Sequence, residues 1–139
     1  MYSRIISSTA WKSFAPNLKR MSGSSVEVDS IFTQIIKKKI PSKIIYEDDK
    51  TIVIEDISPQ APVHLLAIPK KQIKSLSEVE DQDLELMGHL MKVIRDVSKK
   101  AGLGSGYRVV TNIGEHACQS VNHIHFHILG GKQMSGDMT

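Results

Sequence analysis

Acidic residues are missing from the first 26 positions of this 139-residue chain, and that absence locates its charge. Arg4, Lys12, Lys19 and Arg20 give the stretch +4, while the whole chain carries +3, which leaves −1 for the rest. A near-neutral remainder presents no basic face to a duplex, so no nucleic-acid partner is expected. Cysteine is equally scarce: Cys118 stands alone, which excludes an intramolecular disulfide framework. No apolar run approaches the length of a membrane span, and no membrane partner is expected. No internal repeat is present. What is there, 40% hydrophobic and 24% charged residues, suits one ordinary folded domain.

The acid-free stretch is also serine-rich, with Ile5, Ile6, Trp11 and Phe14 among its polar residues. That is the composition of a mitochondrial transit peptide, and it lacks the apolar core of a secretory signal. Residues 1–26 are therefore read as a mitochondrial leader, with a disordered tail as the alternative, and 27–139 as the domain. A start at Met21 would give a cytoplasmic form.

From Val26 the pattern changes. Ser30 can cap a short helix carrying Ile31, Phe32, Ile35 and Ile36, ending at Ile40-Pro41 because proline cannot continue it. Three strand-like runs follow, 43–46, 51–55 and 64–68, separated by short turns. A long helix is expected over 78–100, with Leu84, Met87, Leu90, Met91, Ile94 and Val97 at helical spacing. Gly102, Gly104 and Gly106 stop it; they do not open a helix after a strand, so they are no dinucleotide fingerprint. Two more strands are expected over 107–112 and 121–129. The sum is α+β: a five-stranded antiparallel sheet with one long and one short helix, both on one face.

The last of these strands carries His123, His125 and His127 in alternation with Ile124, Phe126 and Ile128. Alternate side chains of a strand share a face, so the imidazoles group on one side and the apolar set packs on the long helix. An imidazole combines a nucleophilic neutral nitrogen with a pKa near neutrality, so one ring can attack while another handles a proton. Three readings fit: an exposed polar strand face, a metal site to which His116 and Cys118 add ligands, and phosphoryl chemistry.

The run His123-Ile124-His125-Phe126-His127-Ile128-Leu129-Gly130-Gly131 resembles the signature of the histidine triad (HIT) family. Ile44–Asp49, Asp56–Pro62, Ile68–Lys71 and Gln119–Val121 resemble segments of its nucleotide-binding branch, in the right order, so the likeness runs from about Ile31 to Met134. The resemblance implies a homodimer that hydrolyses purine nucleoside phosphoramidates, such as adenosine 5′-phosphoramidate, with no cofactor and no metal. It implies a catalytic set of His125, His123, His127, His64 and Ser120. His125 is the nucleophile, the backbone carbonyl of His123 orients it, His127 contacts phosphate, and His64 supports the triad.

Ser120 and Asn112 match polar contacts to the phosphate and leaving group, and Asp56 matches the ribose-binding acid. Ile31, Phe32, Ile35, Ile40, Ile54 and Leu66 fall at base-contacting positions. From the residues alone, Asp56 is equally a turn-forming acid before Ile57-Ser58-Pro59, and most of the six apolar residues are core. His89 and His116 receive no role. Partners implied are purine nucleoside monophosphates and phosphoramidates, with dimer contacts through the long helix and residues 107–112. A dinucleoside polyphosphate hydrolase, a nucleotidyl transferase and a nucleotide-binding scaffold are the alternatives. Two positions depart from the family: Cys118, where relatives carry glycine, and the tail Met134–Thr139, which lacks their tryptophan.

Overall fold

The computed structural model describes residues 27–139; the leader expected over 1–26 lies outside the described residues. Five strands form one antiparallel sheet: β1 (Ile44–Glu47), β2 (Thr51–Glu55), β3 (Val63–Pro69), β4 (Tyr107–Val110) and β5 (Phe126–Gly130), in the order β1-β2-β3-β5-β4. Helix α1 spans Ile31–Ile36 and helix α2 spans Leu84–Lys100. The expected five-stranded antiparallel sheet with one long and one short helix stands.

The two helices do not share a face. Val53 of β2, Leu65 and Ala67 of β3, and Phe126 and Ile128 of β5 pack with Leu90, Val93, Ile94 and Val97 of α2. The alternate residues Ile52, Ile54, Leu66 and Ile68 pack with Phe32 and Ile35 of α1. Strand side chains alternate between faces, so the clusters lie on opposite sides of the sheet and the expectation of one helical face is corrected. The reason is that β2 and β3 are continuous apolar runs with two greasy faces to cover.

Element ends differ from expectation for local reasons. Ser30 caps α1 as expected, its hydroxyl accepting from the Thr33 amide. The helix stops at Ile36 rather than Ile40, because Lys38 takes a left-handed backbone (φ 59°). Helix α2 begins at Leu84, preceded by two 3-10 turns over Leu76–Glu78 and Asp81–Asp83, the second fixed by a reciprocal Glu80–Asp83 capping box. Asp83 is consequently buried and paired with Lys71 rather than facing water. Gly102 (φ 76°) follows the last turn in the left-handed conformation that glycine permits.

The last strand differs most. It begins at Phe126, not Val121, because the preceding backbone is bonded elsewhere. The His123 carbonyl accepts from the His125 ring, the His125 carbonyl accepts from the Thr111 hydroxyl, and the Ile124 amide donates to the Ile73 carbonyl. Thr111 likewise leaves β4, which ends at Val110.

Candidate active site

His127 lies on β5 opposite Leu66 of β3, on the sheet face that α1 covers, and His64 lies on the same face two residues before Leu66. His123 and His125 sit in the irregular segment just before β5, yet their rings reach the same side. Phe32 of α1 packs edge-on against His123 and His125, with ring centroids 5.8 and 5.0 Å apart. The rings of His125 and His127 are 5.2 Å apart. All four imidazoles are buried, none more than 4% exposed, which removes the reading of an exposed polar strand face.

Burial makes every ring nitrogen accountable, and the partners fix which one carries the proton. Nδ1 of His125 lies 2.7 Å from the His123 carbonyl, which only accepts. Nδ1 is therefore protonated and Nε2 keeps its lone pair. Nε2 of His123 donates to the Pro69 carbonyl at 2.7 Å, leaving Nδ1 of that ring bare. The Gln60 backbone amide donates to Nδ1 of His64 at 3.0 Å, so its proton is on Nε2, 2.9 Å from Nδ1 of His127. His64 donates and His127 accepts, which puts the His127 proton on Nε2. That atom is buried and has no partner among the described residues. The site thus presents one bare nitrogen without a donor, on His125, beside one unpaired N–H, on His127.

Burial also holds the rings uncharged. It is the largest cause lowering the pKa of His64, His123 and His125, with only partial opposition from Asp56 or a backbone carbonyl. His127 falls to about 3, through burial and the repulsion between its cation and those of His125 and His64. A neutral imidazole needs no prior deprotonation to attack an electrophile.

Asp56 serves two readings at once. Its Oδ1 accepts from the Ser58 amide at 2.8 Å, the local turn contact, while Oδ2 is buried without a hydrogen bond, 3.4 Å from Nε2 of His64. Ligand atoms of Asp56, His64 and His127 lie within 4.8 Å of one another, a set able to hold a divalent cation. His116 and Cys118, named as further ligands in the metal reading, do not belong to that set among the described residues.

The six expected base-contacting residues fall in one apolar cluster beside the imidazoles, with Ile31 and Ile40 partly buried at its rim. Asn112 is half-buried just past β4, and Ser120 is exposed. The polar groups holding the triad are others, and sequence reasoning missed them. Gln60 and Pro69 act through the backbone, which leaves no side-chain signal, and Thr111 acts from a strand end. Gln119 latches the loop before the triad, accepting from the Gly114 amide and donating to the Lys74 and Val121 carbonyls. Within that loop Cys118 has φ 57°, the left-handed region, so glycine is the residue this backbone favours.

Fold and site together define a small α+β domain built around a buried, uncharged histidine cluster over an apolar shelf. The family model described as "Scavenger mRNA decapping enzyme C-term binding" matches residues 29–139. The chain is 50% identical over 108 residues to the 14 kDa zinc-binding protein of Zea mays, covering 76% of this chain and 84% of that one. It is 45% identical over 108 residues to Adenylylsulfatase HINT1 of Arabidopsis thaliana, covering 76% and 74%. A HIT family hydrolase from Clostridium thermocellum superposes with a TM-score of 0.78 at 39% identity, covering 83% of this chain and all of the other. The chain belongs to the histidine triad family, in its nucleotide-binding branch.

Proposed function

We propose that this protein is a purine nucleoside phosphoramidate hydrolase acting through a nucleotidyl-histidine intermediate on His125. The observation that carries the reading is the 2.7 Å contact from Nδ1 of His125 to the His123 carbonyl, which leaves Nε2 bare and neutral. Nε2 attacks the α-phosphorus, the phosphorus–nitrogen bond breaks, and the amine leaves with its electron pair and a proton drawn from solvent, which the water of the next step returns. Water then attacks the same phosphorus and the bond to Nε2 breaks, releasing a nucleoside monophosphate. The Nε2–H of His127 donates to a phosphoryl oxygen as charge builds there. Asp56 Oδ2 accepts from a ribose hydroxyl, and Phe32, Ile35, Ile54 and Leu66 bracket the base. An apolar slot grips the flat face of a purine and reads its edge poorly, so adenine and guanine are both accepted.

A homodimer completes the reading. Leu84 and Met91 on α2, and Tyr107 and Val109 on edge strand β4, are large apolar residues left exposed, at 61%, 44%, 41% and 40%. They support self-association through the elements expected to make it, and light scattering at micromolar concentration tests it. Mitochondrial targeting by residues 1–26 is proposed from composition and tested by fusing them to a fluorescent protein.

The name of the Arabidopsis relative supports a second reading, hydrolysis of an adenylyl sulfate, in which the same attack expels sulfate in place of the amine. If this protein binds zinc, as the name of the maize relative states of that protein, Asp56, His64 and His127 would hold it and the ion would supply Lewis-acid chemistry. Turnover of adenosine 5′-phosphoramidate, adenylyl sulfate and diadenosine polyphosphates, with and without chelator, separates these readings. The proposal expects the phosphoramidate to have the highest kcat/KM and chelator to leave it unchanged; preference for a polyphosphate overturns it.

A further inference from the structure

His123 contributes a backbone carbonyl to the site, yet its side chain is wholly buried and bonded at both ring nitrogens. Nε2 donates to the Pro69 carbonyl. The bare Nδ1 lies 2.6 Å from the Ser30 hydroxyl, so that hydroxyl donates to it. The same oxygen accepts from the Thr33 amide at 3.0 Å as the cap of α1. The Thr33 hydroxyl is 3.4 Å from Nδ1 but only 2.6 Å from Oε1 of Gln72, and the shorter contact takes its proton. Gln72 Oε1 also accepts from the Ser30 amide at 2.8 Å, and its Nε2 donates to the Val28 carbonyl at 2.9 Å. The Ser30 hydroxyl also lies 3.2 Å from the Thr33 hydroxyl, but its 2.6 Å contact to Nδ1 is the shorter and takes its proton, which leaves a single consistent set of directions.

We infer that Ser30, held by Thr33 and Gln72, is a positioning residue that clamps the His123 ring so that its carbonyl keeps the His125 proton on Nδ1. The inference rests on the proposed function for its kinetic consequence but not for its tautomer. Without the Ser30 hydroxyl, a buried lone pair on His123 loses its donor, and the ring is free to turn or exchange its proton between nitrogens. The adjoining carbonyl then no longer fixes His125, and molecules with the proton on its Nε2 cannot attack. Helix α1 thereby joins two tasks: Phe32 packs on the two rings, and the cap two residues earlier sets one of them.

Capping and donation are separable by substitution. Ser30→Asp keeps an acceptor for the Thr33 amide but offers Nδ1 no proton, Ser30→Ala removes both functions, and Ser30→Thr keeps both. In the full chain, Ser30→Ala and Ser30→Asp are expected to lower kcat about tenfold with KM within about twofold, as the loss of one buried hydrogen bond predicts. Ser30→Thr is expected to stay near the parent, and Gln72→Ala to fall about threefold. Imidazole 15N shifts of the parent should report His123 protonated on Nε2 alone, and Ser30→Ala should mix the tautomers. Parental kcat in Ser30→Asp would reduce Ser30 to a helix cap, and a His123 proton on Nδ1 in the parent would overturn the clamp outright. If the parent turns over none of the substrates, the proposed function fails while the 15N comparison still decides the clamp.

Discussion

The two faces of the sheet are built from the same strands and obey different rules. Toward α2, the residues of β2, β3 and β5 pack into a cluster of aliphatic and aromatic side chains, and Ile128 and Leu90 are fully buried there. Toward α1, the same strands place His64 and His127 among Ile54, Leu66 and Phe32, and every imidazole needs named partners. Apolar packing tolerates exchange of shape at nearly constant volume, whereas a buried polar network fails when one donor is lost. The α2 face therefore supplies stability that many sequences could supply. The α1 face supplies one protonation pattern, at a cost in buried polar groups that the other face offsets.

The largest effect should come from His125→Ala. We expect turnover to fall on the order of 10⁴-fold or more, as for other lost nucleophiles, while the melting temperature changes little and nucleotide binding persists. Leu90→Ala on the opposite face should reverse that pattern, costing about 2–5 kcal/mol in denaturant unfolding with kcat per folded molecule unchanged. Equal loss of activity in both variants would erase the distinction between the faces.

Acid should weaken the α1 face first. Its histidines have folded pKa values below the ordinary 6.5 because burial penalises their cations, so near neutrality they are uncharged in both folded and unfolded states. As pH falls below 6.5 the unfolded chain takes up protons that the folded chain refuses, and stability declines until each folded pKa is reached. For His127 that window extends down to about 3. Each such histidine contributes a slope of about 1.4 kcal/mol per pH unit within its window. Denaturant titrations at pH 7.5, 6.0 and 5.0 measure it, and a flat profile would contradict neutral buried imidazoles. The acid limb of kcat should likewise lie below 6.5, since His125 is held neutral there.

The smallest effect concerns the loop beside the triad. Cys118→Gly should stabilise the protein by about 1 kcal/mol, because a side chain in the left-handed region is strained where glycine is not. A loss of stability on that change would mean that the thiol makes a contact outweighing the strain.

Much of this was legible in the sequence because it was carried by pattern. The period of α2, the strand runs and the apolar positions between the histidines specified the sheet and which of its faces α2 covers, and the spaced motifs named the candidate site residues. What was not legible used the backbone. An alternating His-x-His-x-His run reads as a strand, but the His123 and His125 carbonyls accept from a ring and a hydroxyl, so the ladder starts only at Phe126. The Gln60 amide and the Pro69 carbonyl set two tautomers without any side chain to announce them. Ser30 was legible as a cap and silent as a donor, because its partner lies 93 residues away. The exposed Leu84 and Met91 follow the helical period of α2 and still face outward, since periodicity does not say where a helix face runs out of sheet to cover.

The most direct test of the central claim is to trap the covalent intermediate. Rapid acid-free quenching of the protein with a nucleoside phosphoramidate labelled at the α-phosphorus, followed by proteolysis and mass spectrometry, locates the label. A neutral His125 nucleophile predicts a nucleotidyl group on His125 and none in His125→Ala. Label on another residue, or full turnover with no covalent adduct, would contradict it.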